Sequence, residues 1–215
     1  MGLGFERLSG VELDALREVG NIGAGHAATV LSSMLGERVD MRVPTARLLP
    51  FPEVAGALGG EETLIAGVCL GVHGGAPGVI LYALPIPAAT YVVGRLLGRE
   101  RADGRPADDP AGGVALDDME RSALEEVGNI LTGSFLAALS DLTRLDLHPT
   151  VPALAIDMAG AIIDNVLGEV GRSGDVALFI ETTFLTSVKE FHGQFFLIPD
   201  PESLPVILAA LGVNG

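Results

Sequence analysis

"ALREVGNIGAGHAATVLS", Ala15–Ser32, decides how the chain is read, because it returns. At a shift of 108 positions, Ala15 onto Ala123, it meets "ALEEVGNILTGSFLAALS", Ala123–Ser140. Gly25 falls on Gly133, Leu31-Ser32 on Leu139-Ser140, and further on Val43-Pro44 on Val151-Pro152. The start signals superpose too. Ser9-x-x-Glu12 and Asp117-x-x-Glu120 are both capping-box patterns, a side-chain acceptor followed three residues later by an acid. Taken alone, Gly23-Ala-Gly25-His-Ala-Ala28 fits the G-x-G-x-x-[GA] fingerprint of a dinucleotide loop. That loop needs a strand before it and a helix after it. The residues before Gly23 instead carry helical periodicity from Ser9 onward, and the second copy reads "GNILTGSF", without the glycine pattern. The repeat therefore displaces the nucleotide reading.

The repeat also frames the elements. Leu13, Leu16, Gly20, Ala24, Ala27 and Leu31 recur at three- and four-residue steps, which predicts a helix of about seven turns. It ends near Gly36 in the first copy and near Arg144 in the second. Strand-like runs follow at Leu64–Val72 and Val79–Leu84, then at Val176–Leu185 and Gln194–Ile198. Each copy closes on a Pro-initiated helix, Pro87–Leu97 and Pro201–Leu211. A helical segment at Ile156–Val170 in the second copy has no evident counterpart. The expected architecture is α+β: a pseudo-two-fold duplicated helix/strand repeat sharing one mainly antiparallel sheet. The copies span about residues 9–98 and 117–212 of a single domain, 1–215, joined by an exposed Pro/Gly-rich linker at 99–116.

Composition narrows the functions. The 215 residues are 48% hydrophobic, enough for a sizeable core. A formal charge of −15 repels phosphate backbones, so no nucleic-acid partner is expected. Cys69 is the lone cysteine, which excludes a disulfide within the chain and reads as a small core residue. Thr63–Gly94 holds no charged side chain, but Pro77, Pro85, Pro87 and Gly74-Gly75 interrupt it. A lipid-facing helix would leave backbone groups unsatisfied there, so buried strands and a core helix are expected, with no membrane association. "MGLGFERLSG" has no apolar signal core, and a cytoplasmic location is the expectation. His26, His73, His148 and His192 are scattered without ligand spacing, so no metal or other cofactor of the chain's own is expected.

Few polar residues match between the copies: Asp14 with Ser122, Glu18 with Glu126, and Asn21 with Asn129. Positions i, i+4 and i+7 share one helix face. Pro44 and Pro152 each follow the Asn by the same interval. Glu and Asn one turn apart are ordinarily a solvated face. Here they persist while a neighbour diverges, Arg17 against Glu125, which points to one job done twice. Asn cannot take up a proton and is a poor general base, but its amide both donates to and accepts from a water molecule. Phosphoryl transfer asks mostly for such positioning. A carboxylate one turn away suits pairing with a partner's Lys. A convex helix face suits chemistry completed inside another protein's site.

At these residues the chain resembles the CheC/CheX/FliY family of chemotaxis phosphatases. The pattern [DS]-x3-E-x2-N-x22-P occurs as Asp14-Glu18-Asn21-Pro44 and again as Ser122-Glu126-Asn129-Pro152. Two motifs in one chain of this length resemble the CheC branch. The resemblance implies hydrolysis of the phospho-aspartate of the response regulator CheY. Asn21 and Asn129 would orient the attacking water, and Glu18 and Glu126 would pair with the regulator's Lys. Asp14, Ser122, Pro44 and Pro152 would support the motif, and Mg²⁺ would belong to CheY. It also implies a second partner, the receptor deamidase CheD, with Asp157 in "AIDMAGAIIDNVLGEV" as the candidate contact. The alternative is a non-catalytic adaptor that binds CheY or CheD through the same surfaces.

Overall fold

The computed structural model describes residues 8–99, 107–108, 114–170 and 176–212. Along the chain it runs α1 (Gly10–Leu35), β1 (Asp40–Pro50), α2 (Phe51–Ala57), β2 (Leu64–Gly74), β3 (Gly78–Pro85) and α3 (Ile86–Leu96). A two-residue ribbon follows, β4 (Ala107–Asp108) with β5 (Val114–Ala115). The rest of the expected linker lies outside the described residues. The second series is α4 (Asp118–Thr143), β6 (Leu147–Pro149), β7 (Ala153–Met158), α5 (Ala159–Val170), β8 (Val176–Leu185), β9 (Glu190–Pro199) and α6 (Ser203–Ala210).

Both long helices start where the capping boxes put them. Ser9 Oγ accepts from the Glu12 N–H at 3.3 Å, and Glu12 accepts from the Ser9 N–H at 2.6 Å. Asp117 and Glu120 make the same reciprocal pair at 2.8 and 2.9 Å. Two orphan donors are satisfied at each helix start. Both helices stop on a left-handed residue, Gly36 at φ 64° and Arg144 at φ 60°.

The main sheet has the order β1-β8-β9-β3-β2-β6, with β7 also paired to β2, and every pairing in it is antiparallel. The order is a palindrome about the β9–β3 pair. The first copy gives β1 to β8 of the second, and the second gives β6 and β7 to β2 of the first. Each copy thus completes the other's sheet, and the mainly antiparallel sheet expected from sequence is a joint product.

Helices cover both faces. Leu16, Val19 and Leu31 of α1, Leu124, Val127 and Leu139 of α4, and residues of α3 and α6 pack on Ile80, Leu178 and Ile180. On the other face Val54 of α2 and Ile162, Ile163 and Val166 of α5 pack on Leu81, Phe179 and Phe196. The crossing of α1 over α4 depends on Gly23. A Cβ there would stand 2.9 Å from the Phe135 Cα, so a side chain would push the helices apart. Tyr82 is buried under α1, and burial pushes its phenol well above the usual range.

Four expectations need correction. The stretch 40–50 after α1 is a full edge strand, where none was read. The segment Ile156–Val170 is strand as far as Met158 and becomes helix at Ala159, because Leu64–Cys69 of β2 offer an unpaired ladder edge to Ala153–Met158. Its helical part does have a counterpart, the seven-residue α2 at the same place in the first copy. The last helix begins at Ser203, two residues after Pro201. Among the described residues, no helix is long and apolar enough to cross a membrane.

Candidate functional site

The apolar stripe of α1 fixes where its polar residues go. Leu16, Val19, Gly20, Gly23, Ala24, Ala27 and Leu31 are buried against α4 and the sheet. Asp14, Glu18 and Asn21 are consequently exposed on the opposite side. Asp14 pairs with Arg17 at 3.0 Å, an exposed contact that adds little stability. In α4 the buried set Leu124, Val127, Gly128 and Leu131 turns Ser122 and Glu126 outward and leaves Asn129 half-buried. Each helix therefore carries a carboxylate and an amide one turn apart on an open surface. The two copies are alike in this and differ in what stands behind the Asn.

Behind Asn21 is a bulge in β1. Arg42 pairs with Thr183 and Thr45 with Glu181, so Val43 and Pro44 together face one residue of β8. Pro44 has no N–H to give the ladder and sits exposed on the edge strand. The Val43 N–H, released from the ladder, donates to Asn21 Oδ1 at 3.3 Å. This tether fixes one end of the amide and leaves its NH₂ free. It also gives the Pro of the motif a physical role, which is to hold the bulge open.

Behind Asn129 the strand is interrupted outright. Pro149 pairs with Val72 and Ala153 with Cys69, so Thr150, Val151 and Pro152 face two residues of β2. Thr150 closes the gap: its N–H donates to the Gly71 carbonyl at 2.9 Å, and its Oγ1 accepts from the Gly71 N–H at 2.9 Å. Val151, the counterpart of Val43, is 86% exposed, whereas Val43 is 5% exposed. Among the described residues, no bond from Val151 to Asn129 repeats the tether. Gly128 rests directly on Val68 of β2, where a Cβ would lie 2.5 Å from a Val68 methyl.

The cap of α4 is the more strongly charged of the two. The Glu120 N–H, and after it the Arg99 guanidinium, hold the Asp117 carboxyl below the usual carboxylate range. Asp157 lies on β7 opposite Ile65, exposed, with Oδ1 accepting from the Met158 N–H at 2.7 Å. It lines a groove of about 470 Å³ between β2, β7 and α5, together with Cys69, Thr150 and Asn165. Neither Glu/Asn face is part of that groove. Among the described residues, no group of three or more His, Cys, Asp or Glu is placed to hold a metal.

Sequence reasoning missed the Val43 backbone contact and the cross-strand neighbours His73 and His148. The interval from Asn21 to Pro44 was the available signal for the first. The second depends on the exchange of β6, which leaves no local trace.

These features define a class: duplicated α+β proteins that carry an acidic residue and an amide on two helix faces. The chain belongs to the CheC-like family, whose model matches residues 11–47 and 119–156, the two stretches that carry the motifs. It is 36% identical over 212 residues to the CheY-P phosphatase CheC of Bacillus subtilis, covering 98% of both chains. It is 29% identical over 144 residues to the flagellar motor switch phosphatase FliY of the same organism, covering 66% of this chain and 35% of that one. The solved structure of Thermotoga maritima FliY superposes with a TM-score of 0.75 at 20% identity, over 95% of this chain and 98% of that one. That last likeness is one of fold alone.

Proposed function

We propose that the chain is a protein phosphatase that hydrolyses the phospho-aspartate of a CheY-type response regulator in the cytoplasm. The observation that carries this reading is the Glu-x-x-Asn pair on both long helices, with Glu18, Asn21 and Glu126 exposed and Asn129 half-buried. Such a face has nothing to cleave by itself but fits into an acidic phosphorylated pocket on a partner. In that complex Glu18 or Glu126 pairs with the regulator's active-site Lys and sets the register. The amide of Asn21 or Asn129 holds a water in line with the phosphorus. The water oxygen bonds to phosphorus as the bond to the aspartate oxygen breaks, releasing phosphate and a free carboxylate. Mg²⁺ belonging to the regulator would neutralise the developing charge, while this chain's part is to place the water and set the register. The full-length similarity to the Bacillus subtilis CheY-P phosphatase supports the reaction assigned.

A second binding surface is favoured by the groove beside α5. Its lining includes Asp157 and none of Glu18, Asn21, Glu126 or Asn129, and it reaches the second face only through Thr150 and Val151 behind Asn129. We assign it to CheD, bound without turnover, with Asp157 as the charged contact. Capture of CheD by the wild-type chain and its loss in Asp157→Lys is the expected pattern; no capture by wild type removes that partner. The phosphatase reading is tested by following decay of the phosphorylated regulator with and without the chain. Faster decay is expected, and an unchanged rate overturns it.

A further inference from the structure

We infer that the regulator-docking stripe is longer than the Glu/Asn motif. An exposed apolar residue, Val11 or Met119, anchors the partner at one end. A bare glycine, Gly25 or Gly133, lets the partner close on the helix at the other. The inference rests on the phosphatase reading and specifies how its substrate is held.

Val11 is 67% exposed and Met119 is 59% exposed, and they occupy equivalent positions in the first turns of α1 and α4. A single exposed aliphatic residue needs no explanation. Two at matching positions, on the same stripe as the motif, call for one. Residues 11, 14, 18, 21 and 25 follow steps of three and four, which keeps them on one helix face. Val and Met differ in shape and share apolar character and exposure, as expected of an anchor and not of a packed core position. Met119 Sδ is 4.0 Å from the Arg99 guanidinium and still presents most of its surface.

Beyond the Asn the stripe reaches Gly25 and Gly133. An added Cβ at either would meet nothing within 4 Å. Their neighbours are different. Gly20, Gly23 and Gly128 each have atoms of the chain pressed against the missing side chain. No packing among the described residues therefore asks for Gly25 or Gly133, and each weakens its helix relative to Ala. Open space kept at equivalent positions, one turn past each catalytic Asn candidate, suits close approach by a partner's backbone. From residue 11 to 25 the stripe is about 21 Å long at 1.5 Å per residue. That is the scale of a patch burying about 800 Å² on one side of a specific interface. The occupant is the phosphorylated receiver domain itself, with an apolar patch bordering its phosphorylated pocket.

The test uses the full chain and a CheY-type regulator carrying beryllium fluoride as the phosphoryl mimic, with affinity read by anisotropy. With Glu126→Lys and Asn129→Ala together closing the second face to the regulator's Lys, Val11→Asp and Gly25→Leu are compared with the unaltered stripe. With Glu18→Lys and Asn21→Ala closing the first, Met119→Asp and Gly133→Leu are compared likewise. Asp in a first helical turn suits the helix dipole and Leu is a better helix former than Gly, so loss of folding is not the expected cause of any loss of binding. Kd weaker by about tenfold is expected for each variant, with KM raised in parallel, whereas removal of the Asn falls on kcat. Unchanged Kd and KM in the stripe variants overturn the inference, even where loss of both Asn abolishes turnover and the phosphatase reading stands. If wild type binds the regulator without accelerating decay, that reading fails while the Kd comparison still decides the stripe. If wild type forms no complex, both fall.

Discussion

The two motif faces share a sequence and differ in their backing. In the first copy the exchanged strand β1 stays continuous, buries Val43 against Gly20 and ties Asn21 to its backbone. In the second copy the exchanged strand splits into β6 and β7, Val151 points to solvent, and Gly128 seats directly on β2. Duplication conserved the residues that face outward and relaxed the support beneath them. One site has a pre-set amide on an edge-strand bulge. The other has a freer amide on a rigid floor.

That contrast can be broken most sharply at the paired glycines. A Cβ at Gly128 would stand 2.5 Å from Val68, which lies on an internal strand. Gly128→Ala is expected to destabilise the fold by about 1–3 kcal/mol, read from denaturant unfolding. A Cβ at Gly20 would meet Val43 at 3.3 Å on an edge strand, and Gly20→Ala should cost clearly less. Equal losses would mean that the two helices are seated alike.

The tether gives the next effect. Pro44→Ala restores an N–H at the bulge, allows β1 to slip into the ladder, and so frees Asn21. Measured in an Asn129→Ala background, turnover at the first site should fall a few-fold, in line with about 0.5–1.5 kcal/mol for fixing one side chain. Pro152→Ala, measured in an Asn21→Ala background, should change turnover less, because no such bond holds Asn129. A larger loss at the second site would reverse the assignment of the tether.

The smallest effect concerns the caps. Asp117 has a folded-state pKa held below its unfolded value, so its contribution is present above about 3.9 and is lost as pH falls through the folded value. Ser9 does not titrate in this range, and the acids that complete the two boxes, Glu12 and Glu120, are common to both. On acidification through the folded value of Asp117 the first-turn amides of α4 should lose more hydrogen-exchange protection than those of α1. Matching loss in both helices would remove the role given to Asp117.

Much of this was legible in the sequence, for physical reasons that can be named. The repeat, the long helices and their caps follow from local spacing and side-chain chemistry. β1 did not, since "DMRVPTARLLP" carries two Pro and three charged side chains that suit an edge strand with a bulge but hide the alternation. Ile156–Met158 read as helix because a short apolar run fits either period. What made it strand was the free edge of β2, a partner supplied by the other copy. The same exchange hid α2 as a counterpart of α5, because seven residues are too few to show a helical period. The site was legible as residues, Glu18 with Asn21 and Glu126 with Asn129. Their different backing was not, since it depends on how two distant strands bulge against the opposite copy.

The central claim is that both faces use their Asn to turn over a phosphorylated regulator. Decay of the phospho-regulator is to be followed with wild type, Asn21→Ala, Asn129→Ala and the double variant. Each single variant should keep part of the acceleration, with the chain retaining Asn21 ahead by a few-fold, in keeping with one fixed side chain. The double variant should leave the regulator at its own intrinsic rate. A double variant as fast as wild type would contradict the account.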